Sequence, residues 1–201
     1  MFHLFQKGGP ILWPLFFTSV ISLAVVFERI FFIVNIKWKR RPEVVEDMLT
    51  SVEAGLVPQA IEAGEKSRYF VATALTYGLK HREESLSGAL LKASNRELKR
   101  FNQGLAVLDT VITLAPLLGL LSTVTGMIHA FGILGNRELD APTVITGGIA
   151  EALIGTAFGL GIAVVALIPF NYLNAQLEEA RHELEDASTH LELLLKSAKL
   201  R

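Results

Sequence analysis

The sequence predicts an all-α membrane protein with three transmembrane helices and long cytoplasmic helical extensions. Of its 201 residues, 51% are hydrophobic and the mean hydropathy is +0.42, which is more apolar than a typical soluble domain. Three stretches are long and apolar enough for a helix to cross a bilayer, which takes about 20 residues. They are residues 11–27, 110–136 and 144–177, and the only acidic or basic residue in the third is Glu151.

The remaining composition excludes several classes of function. The formal net charge of −1 leaves no basic excess to neutralise nucleic-acid phosphates. The sequence contains no cysteine, which excludes disulfide bonds, thiolate catalysis and cysteine metal sites. It also has no phosphate-binding loop, zinc-spaced histidines or nucleophile elbow. We therefore expect neither an enzyme nor a cofactor, a metal site or a nucleic-acid partner.

Basic residues lie mainly on one side of the three predicted spans. Only Lys7 and Arg137 lie on the other side. By the positive-inside rule, the N-terminus is then outside the cytoplasm and the C-terminus is cytoplasmic. The first span is expected to remain as an anchor, because it lacks the small-residue cleavage pattern of a signal peptide. The basic residues nearest the cytoplasmic ends of the spans are Lys37, Lys39, Arg40, Arg41, Lys92, Arg96, Lys99, Arg100 and Arg181.

The spans and the charge pattern divide the chain into six predicted parts. These are an outer N-terminus with the first transmembrane helix (1–36), a cytoplasmic helical insertion (37–104), the second transmembrane helix (105–135), a short periplasmic turn (136–143), the third transmembrane helix (144–172) and a cytoplasmic helical tail (173–201).

The cytoplasmic insertion is predicted to begin with short helices. Turn and cap residues place these helices at 43–54, 58–63 and 69–79, with Gly55 and Gly64 ending the first two.

A longer helix is predicted from Ser85 onward. Leu91, Leu98 and Leu105 recur every seven residues, which predicts a cytoplasmic helix that continues unbroken into the second span. Pro116 is a candidate position for a bend in that helix.

The tail also has a regular apolar pattern, which predicts that the third span continues as an amphipathic helix. Such a seam indicates packing between helices, within or between subunits, and favours self-assembly. The alternative is a solvated helix that folds back on its own subunit. The residues of this seam are Leu173, Leu177, Ala180, Leu184, Ala187, Leu191, Leu194 and Ala198.

Small side chains recur at three- and four-residue spacings in the second and third spans, which allows helix backbones to approach closely. Helix packing alone accounts for both series. The residues predicted to pack in this way are Gly119, Gly126, Gly155 and Gly159.

Three polar residues within these spans predict an ion pathway. An acidic group in hydrocarbon is costly and usually functional, which applies to Glu151. Counted from Leu134 and Ile145, near the outer ends of the two spans, Thr123 and Thr156 each lie 11 residues deep. That is about 16 Å by helix rise, with Glu151 about 7 Å further out. Hydroxyl groups at one depth could form a polar track with the carboxylate. The alternative is that each hydroxyl bonds to a carbonyl of its own helix.

The strings APLLGLLSTVTGMIHAF at 115–131 and GIAEALIGTAFGLGIAVVALIPFNY at 148–172 resemble the ExbB/TolQ branch of the MotA/TolQ/ExbB proton-channel family. By position, Thr123 matches the threonine of the second-span motif. Glu151 and Thr156 match the glutamate and threonine of the third. Three spans favour this branch, since MotA is expected to have four.

The resemblance implies an inner-membrane subunit that gathers as a homo-oligomer, a pentamer, around the single transmembrane helices of an ExbD/TolR-like partner bearing a membrane aspartate. It implies that the complex converts the proton-motive force into work on a periplasmic or outer-membrane client. Where the family commonly has GTVWG, Ser122 replaces a glycine and Thr125 a bulky residue. Both are therefore candidate pore-lining residues.

Two alternatives remain open from the sequence. The first is a non-conducting membrane scaffold, in which the small residues only pack helices. The second is a sodium-driven motor of the same architecture, because threonine and carboxylate oxygens also suit a hard cation.

Overall fold

The computed structural model describes residues 9–134 and 141–199, and every regular element in them is an α-helix. Three helical stretches, within 12–39, 82–132 and 146–197, are long and apolar enough to cross a membrane. The predicted all-α fold with three spans is confirmed. The helices are α1 (Leu12–Lys39), α2 (Pro42–Glu53), α3 (Val57–Lys66), α4 (Phe70–Lys80), α5 (Arg82–Asn102), α6 (Leu105–Leu134) and α7 (Ala141–Lys199).

The chain divides into two compact units by its internal contacts. One, here called the apolar unit, comprises residues 1–29 and 104–172, and the other, the charged unit, comprises residues 30–103 and 173–201. The apolar unit contains most of α1's apolar stretch, all of α6 and the first half of α7. The charged unit contains α2 to α5 and the second half of α7.

The predicted unbroken helix from Ser85 into the second span is wrong. The chain leaves the helical conformation at Gln103 and Gly104, and Gly104 has a φ of +79°. This left-handed conformation favours glycine and commonly ends a helix. The leucine repeat predicted continuity because the apolar spacing happens to persist across the break. A glycine placed just before the span was the signal for a helix end.

The apolar pattern of the tail is confirmed as one continuous helix, since α7 runs without interruption from Ala141 to Lys199. The predicted turn at 136–143 lies mostly outside the described residues, and its last three residues already belong to α7.

Within the charged unit, Gly64 does not end a helix as predicted. It lies inside α3, where a Cβ atom would come within 2.0 Å of the Thr76 hydroxyl oxygen and 2.8 Å of the Met48 methyl carbon. Glycine is therefore required here for close packing of α3, and the helix continues to Lys66.

The tail seam packs inside the charged unit of its own chain. Arg40 pairs with Glu179 and Glu183 of the tail, and the Tyr69 hydroxyl donates a hydrogen bond to Glu183. The predicted packing between helices thus occurs within the chain itself, and self-assembly stays a prediction. The buried seam residues are Leu173, Leu177, Ala180, Leu184, Ala187 and Leu191.

Candidate functional site

The second and third spans meet along a line of small residues, here called the α6–α7 seam. The α6 side of this seam is Ala115, Gly119, Ser122, Gly126 and Ala130, and the α7 side is Gly148, Ala152, Gly155, Gly159 and Ala163; all ten residues are buried.

The two helices touch backbone to backbone along the seam. A Cβ atom at Gly159 would lie 2.4 Å from the carbonyl oxygen of Ala115, and one at Gly126 would lie 2.9 Å from that of Gly148. Real Cβ atoms do not approach oxygen so closely, so larger residues at these positions would force the helices apart. The pairing also shows that α6 and α7 run antiparallel in the apolar unit.

Ser122 belongs to this packed line. It is 2% exposed, and a Cβ atom at Gly155 would lie 2.0 Å from its hydroxyl oxygen. Ser122 therefore takes part in the packing of α6 against α7. Its pore-lining role stays a prediction.

Thr156 links the two helices. Its partly buried hydroxyl lies 3.0 Å from the carbonyl oxygen of Gly119 on α6 and 3.1 Å from that of Ala152 on α7. The contact within its own helix, which was the alternative to a polar track, is present, and a contact across the seam accompanies it.

The hydroxyl group of Thr123 donates to the carbonyl oxygen of Leu120 at 2.6 Å. Its side chain borders a shallow apolar groove on α6, together with Val124 and Met127. Thr156 is level with Gly119, four residues before Thr123, so the two threonines are staggered by about one helical turn, or 6 Å. The prediction of equal depth counted residues from the span ends and could not account for this register.

Thr125 lies on the same helix, where its hydroxyl is 3.0 Å from the carbonyl oxygen of Leu121 and 3.2 Å from that of Ser122. Both bonds stay within α6. Its side chain is partly buried.

Glu151 lies on the opposite flank of the seam from Thr156. Five residues separate them, which is about 140° around the helix at roughly 100° per residue, and the packed residues Ala152 and Gly155 fall between. The Glu151 carboxylate instead approaches Gly9, where a Cβ atom would lie 1.6 Å from its Oε1 atom. Gly9 precedes α1 and has a φ of +70°.

The α1 helix covers that flank. Leu12 and Leu15 are buried in a cluster with Ala115 and Ala163, against which Ile154 also packs. One turn separates Ile154 from Glu151, so both face α1.

On α6, Leu118 packs against the same cluster. It is five residues from Thr123, so Thr123 points away from it by about 140°. The structure therefore places Thr123 and Thr156 on the side away from α1, and Glu151 on the side of α1.

Residues 62–186, which include the whole seam, match the MotA/TolQ/ExbB proton channel family. The chain belongs to this family. The ExbB-like 1 protein of Synechocystis sp., a biopolymer transport protein by name, is 35% identical over 201 residues, covering 94% of this chain and 77% of the relative. The biopolymer transport protein ExbB of Xanthomonas campestris is 36% identical, but the match covers 52% of this chain and 44% of that protein.

The Tol-Pal system protein TolQ of Haemophilus influenzae is 37% identical over 44% of this chain and 39% of its own length. These matches confirm the predicted ExbB/TolQ branch of the MotA/TolQ/ExbB family. The chain is thus a membrane energy-transducing subunit of a channel-type family.

The sequence reasoning missed Gly9 as part of the site. It treated residues 1–36 as a terminus and an anchor, without a contact to the third span. The Gly8-Gly9-Pro10 string before the apolar stretch is a turn signal, but its proximity to Glu151 depends on the packing of α1 against α7, which no local pattern contains.

Proposed function

We propose that the chain is a ring-forming subunit of a proton-motive-force-driven motor in the bacterial inner (cytoplasmic) membrane. In this proposal the N-terminus is periplasmic and the C-terminus cytoplasmic. Copies of the chain form a homo-oligomer, a pentamer, that surrounds an ExbD/TolR-like single-span partner. Together they channel protons and transmit energy to a periplasmic or outer-membrane client.

The observation that carries this proposal is the position of Thr156. Its hydroxyl bridges two spans at a seam where only backbone and small side chains are otherwise in contact. A bridging hydroxyl has both a proton to donate and lone pairs to accept one, so it can pass a proton along the side of the seam on which Thr123 also lies.

The surroundings of these threonines favour a partner helix. The side away from α1 carries exposed Leu120, Met127 and Leu153, each about one helical turn from one of the two hydroxyls. An apolar wall with a few polar groups suits a transmembrane helix, because helices in lipid associate by packing and by hydrogen bonds between polar side chains. A partner aspartate at this wall would exchange protons with Thr123 and Thr156.

Glu151 acts from the other flank in this proposal. Because the packed seam separates it from Thr156, it is not a member of the same line of hydroxyls. Its carboxylate beside α1 supplies a charge near the outer half of the span, where it favours cations over anions. One charge crossing 100 mV releases about 2.3 kcal/mol, so work on a distant client requires repeated transfers.

The substitution Thr156→Val tests the pathway, because it removes the hydroxyl and keeps the side chain's shape. We expect proton flux in vesicles containing the chain and its partner to fall at least about tenfold, a barrier increase of about 1.4 kcal/mol, with the oligomer intact by size. Thr18→Val is the matched control, since the Thr18 hydroxyl donates within α1, to the carbonyl oxygen of Pro14, and to no other group in the described part of the chain. Glu151→Gln, which removes the charge, is expected to lower flux in the same assay.

The two alternatives to a proton-driven motor predict different results from these experiments. A non-conducting scaffold, which the glycine packing alone would support, predicts that Thr156→Val leaves the measured flux unchanged or makes the oligomer dissociate. A sodium-driven motor predicts that replacing sodium with potassium in the medium stops activity in the unsubstituted protein. Either result would replace the proton-motor proposal.

A further inference from the structure

The segment that leads into α1 has no side chain at the point where it meets Glu151. A Cβ atom at Gly9 would lie 1.6 Å from Oε1, 2.7 Å from Cδ and 3.3 Å from Cγ of Glu151. All three distances are shorter than normal contacts, so any other residue at position 9 would occupy the space of the carboxylate.

The backbone at Gly9 is held in place from the α1 side. The Leu12 amide donates to the Gly9 carbonyl oxygen at 3.3 Å, and Leu12 itself is 2% exposed within the cluster that includes Ala115 and Ala163. Moving Gly9 away from Glu151 would therefore disturb the packing of α1 on the other two spans.

Glu151 is restrained from the α7 side. Its neighbour Ala152 and, one turn later, Gly155 belong to the packed seam, where Gly155 is against Ser122. The backbone of α7 cannot rotate at Glu151 without breaking these contacts. The present position of the carboxylate therefore depends on the space left by the missing side chain at position 9, and a methyl group there would turn the Glu151 side chain away.

We infer that Gly9 is a positioning residue for Glu151: its missing side chain, tolerated in this left-handed backbone, leaves the space that the carboxylate occupies beside the entry to α1. The functional meaning of this inference rests on the proposed function, in which Glu151 contributes charge to the pathway. Backbone N–H groups without helical partners at the start of a helix favour a negative group there. The placement of α1 therefore sets where the charge of Glu151 lies.

The first experiment measures the reactivity of Glu151 with a membrane-permeant carbodiimide, which labels accessible carboxyl groups, at one fixed pH and in the full chain. Gly9→Ala is expected to change the labelling rate several-fold, as read by mass spectrometry of the peptide containing residue 151. Gly55→Ala is the control, because Gly55 has a similar φ of +78° and a methyl group there would meet no described atom within 4 Å. Equal labelling in the two variants would overturn the inference.

The second experiment is a double-mutant cycle on the thermal unfolding midpoint in detergent. Gly9→Ala is expected to lower the midpoint more than Gly55→Ala does. In a Glu151→Ala background, which removes the carboxylate next to position 9, Gly9→Ala should lower the midpoint only as much as Gly55→Ala does. If Gly9→Ala lowered the midpoint equally with and without the Glu151 carboxylate, the inference would be overturned. This comparison is informative even if Gly9→Ala alone folds poorly.

Neither readout requires proton transport. If Thr156→Val left flux unchanged while the cycle showed coupling, the positioning of Glu151 would stand and the proposed pathway would fail. If the cycle showed no coupling while Thr156→Val abolished flux, the proposed function would stand without Gly9.

Discussion

The apolar and charged units of this chain are both helical, but they are packed in opposite ways. In the apolar unit, α6 and α7 meet through glycine, alanine and serine, with backbone atoms in contact. In the charged unit the interior is filled by large side chains. Those that are almost completely buried there are Met48, Val52, Val71, Leu75, Leu79, Leu90, Leu184 and Leu191.

The difference follows from what surrounds each unit. In lipid, burying a leucine against another helix gains little, because the acyl chains are equally apolar, and helices associate through close contact of their backbones. Where charged residues cover the surface and water is the solvent, burial of apolar area is the main stabilising term. Substitutions that add atoms should therefore damage the α6–α7 seam, and substitutions that remove atoms should damage the leucine-rich core of the charged unit.

The largest effect is expected from Leu184→Ala in the charged unit. Leu184 is 1% exposed, and truncating a buried leucine leaves a cavity that costs about 3 kcal/mol. The free energy of unfolding from a denaturant titration measures this loss. Leu193→Ala on the same helix is the control, since Leu193 is 61% exposed, and an equal loss from both would contradict the comparison.

A smaller loss of stability is expected from Gly159→Ala in the apolar unit, because this substitution adds atoms to a tight contact and does not leave a cavity. The added methyl carbon would lie 2.4 Å from the carbonyl oxygen of Ala115, and such overpacking costs about 2 kcal/mol. The same titration in detergent measures it.

Gly161→Ala is its control, because a methyl group at Gly161 would meet no atom within 4 Å in the described part of the chain. Replacing glycine by alanine in a helix is otherwise favourable by up to about 1 kcal/mol. The two glycines, two residues apart, should thus respond with opposite sign. Stabilisation of both variants would refute the close packing of the seam.

The smallest effect concerns pH and only the charged unit. Burial, together with the hydrogen bond to Glu183, raises the pKa of Tyr69 above its usual value. An unfolded tyrosine ionises near about pH 10, so above that pH the unfolded chain loses a proton that the folded chain keeps. The contribution of Tyr69 is fully present below about pH 10, and above it stability falls by about 1.4 kcal/mol per pH unit until the folded tyrosine ionises.

Thermal unfolding midpoints between about pH 8 and about pH 11 measure this decline. In Tyr69→Phe the part of the decline that belongs to this hydroxyl should disappear. Identical pH profiles for the two proteins would mean that Tyr69 does not remain protonated through its contact with Glu183.

The sequence predicted the features of the fold that depend on neighbouring residues. Hydropathy located the three spans, and the spacing of small residues identified Gly119 and Gly159 as positions of close approach. Local spacing did not reveal the break at Gly104, because the leucine repeat continues on both sides of it. Nor did it reveal that α1 approaches Glu151, which depends on packing between segments more than a hundred residues apart.

The candidate site was predicted in part. Depth along the helix grouped Thr123, Thr156 and Glu151, but rotation about the axis separates Glu151 from Thr156. That rotation could have been calculated from the five-residue interval alone. The bond from Thr156 to Gly119 could not, because it depends on the register of α6 against α7.

The contact between Ser122 and Gly155 has a consequence for how the family diverges. The two positions share one small volume, so a larger side chain at one requires a smaller one at the other. Among descendants, a glycine at the position of Ser122 leaves room for alanine or serine opposite it. Substitutions at these two sites should therefore be inherited as compensating pairs.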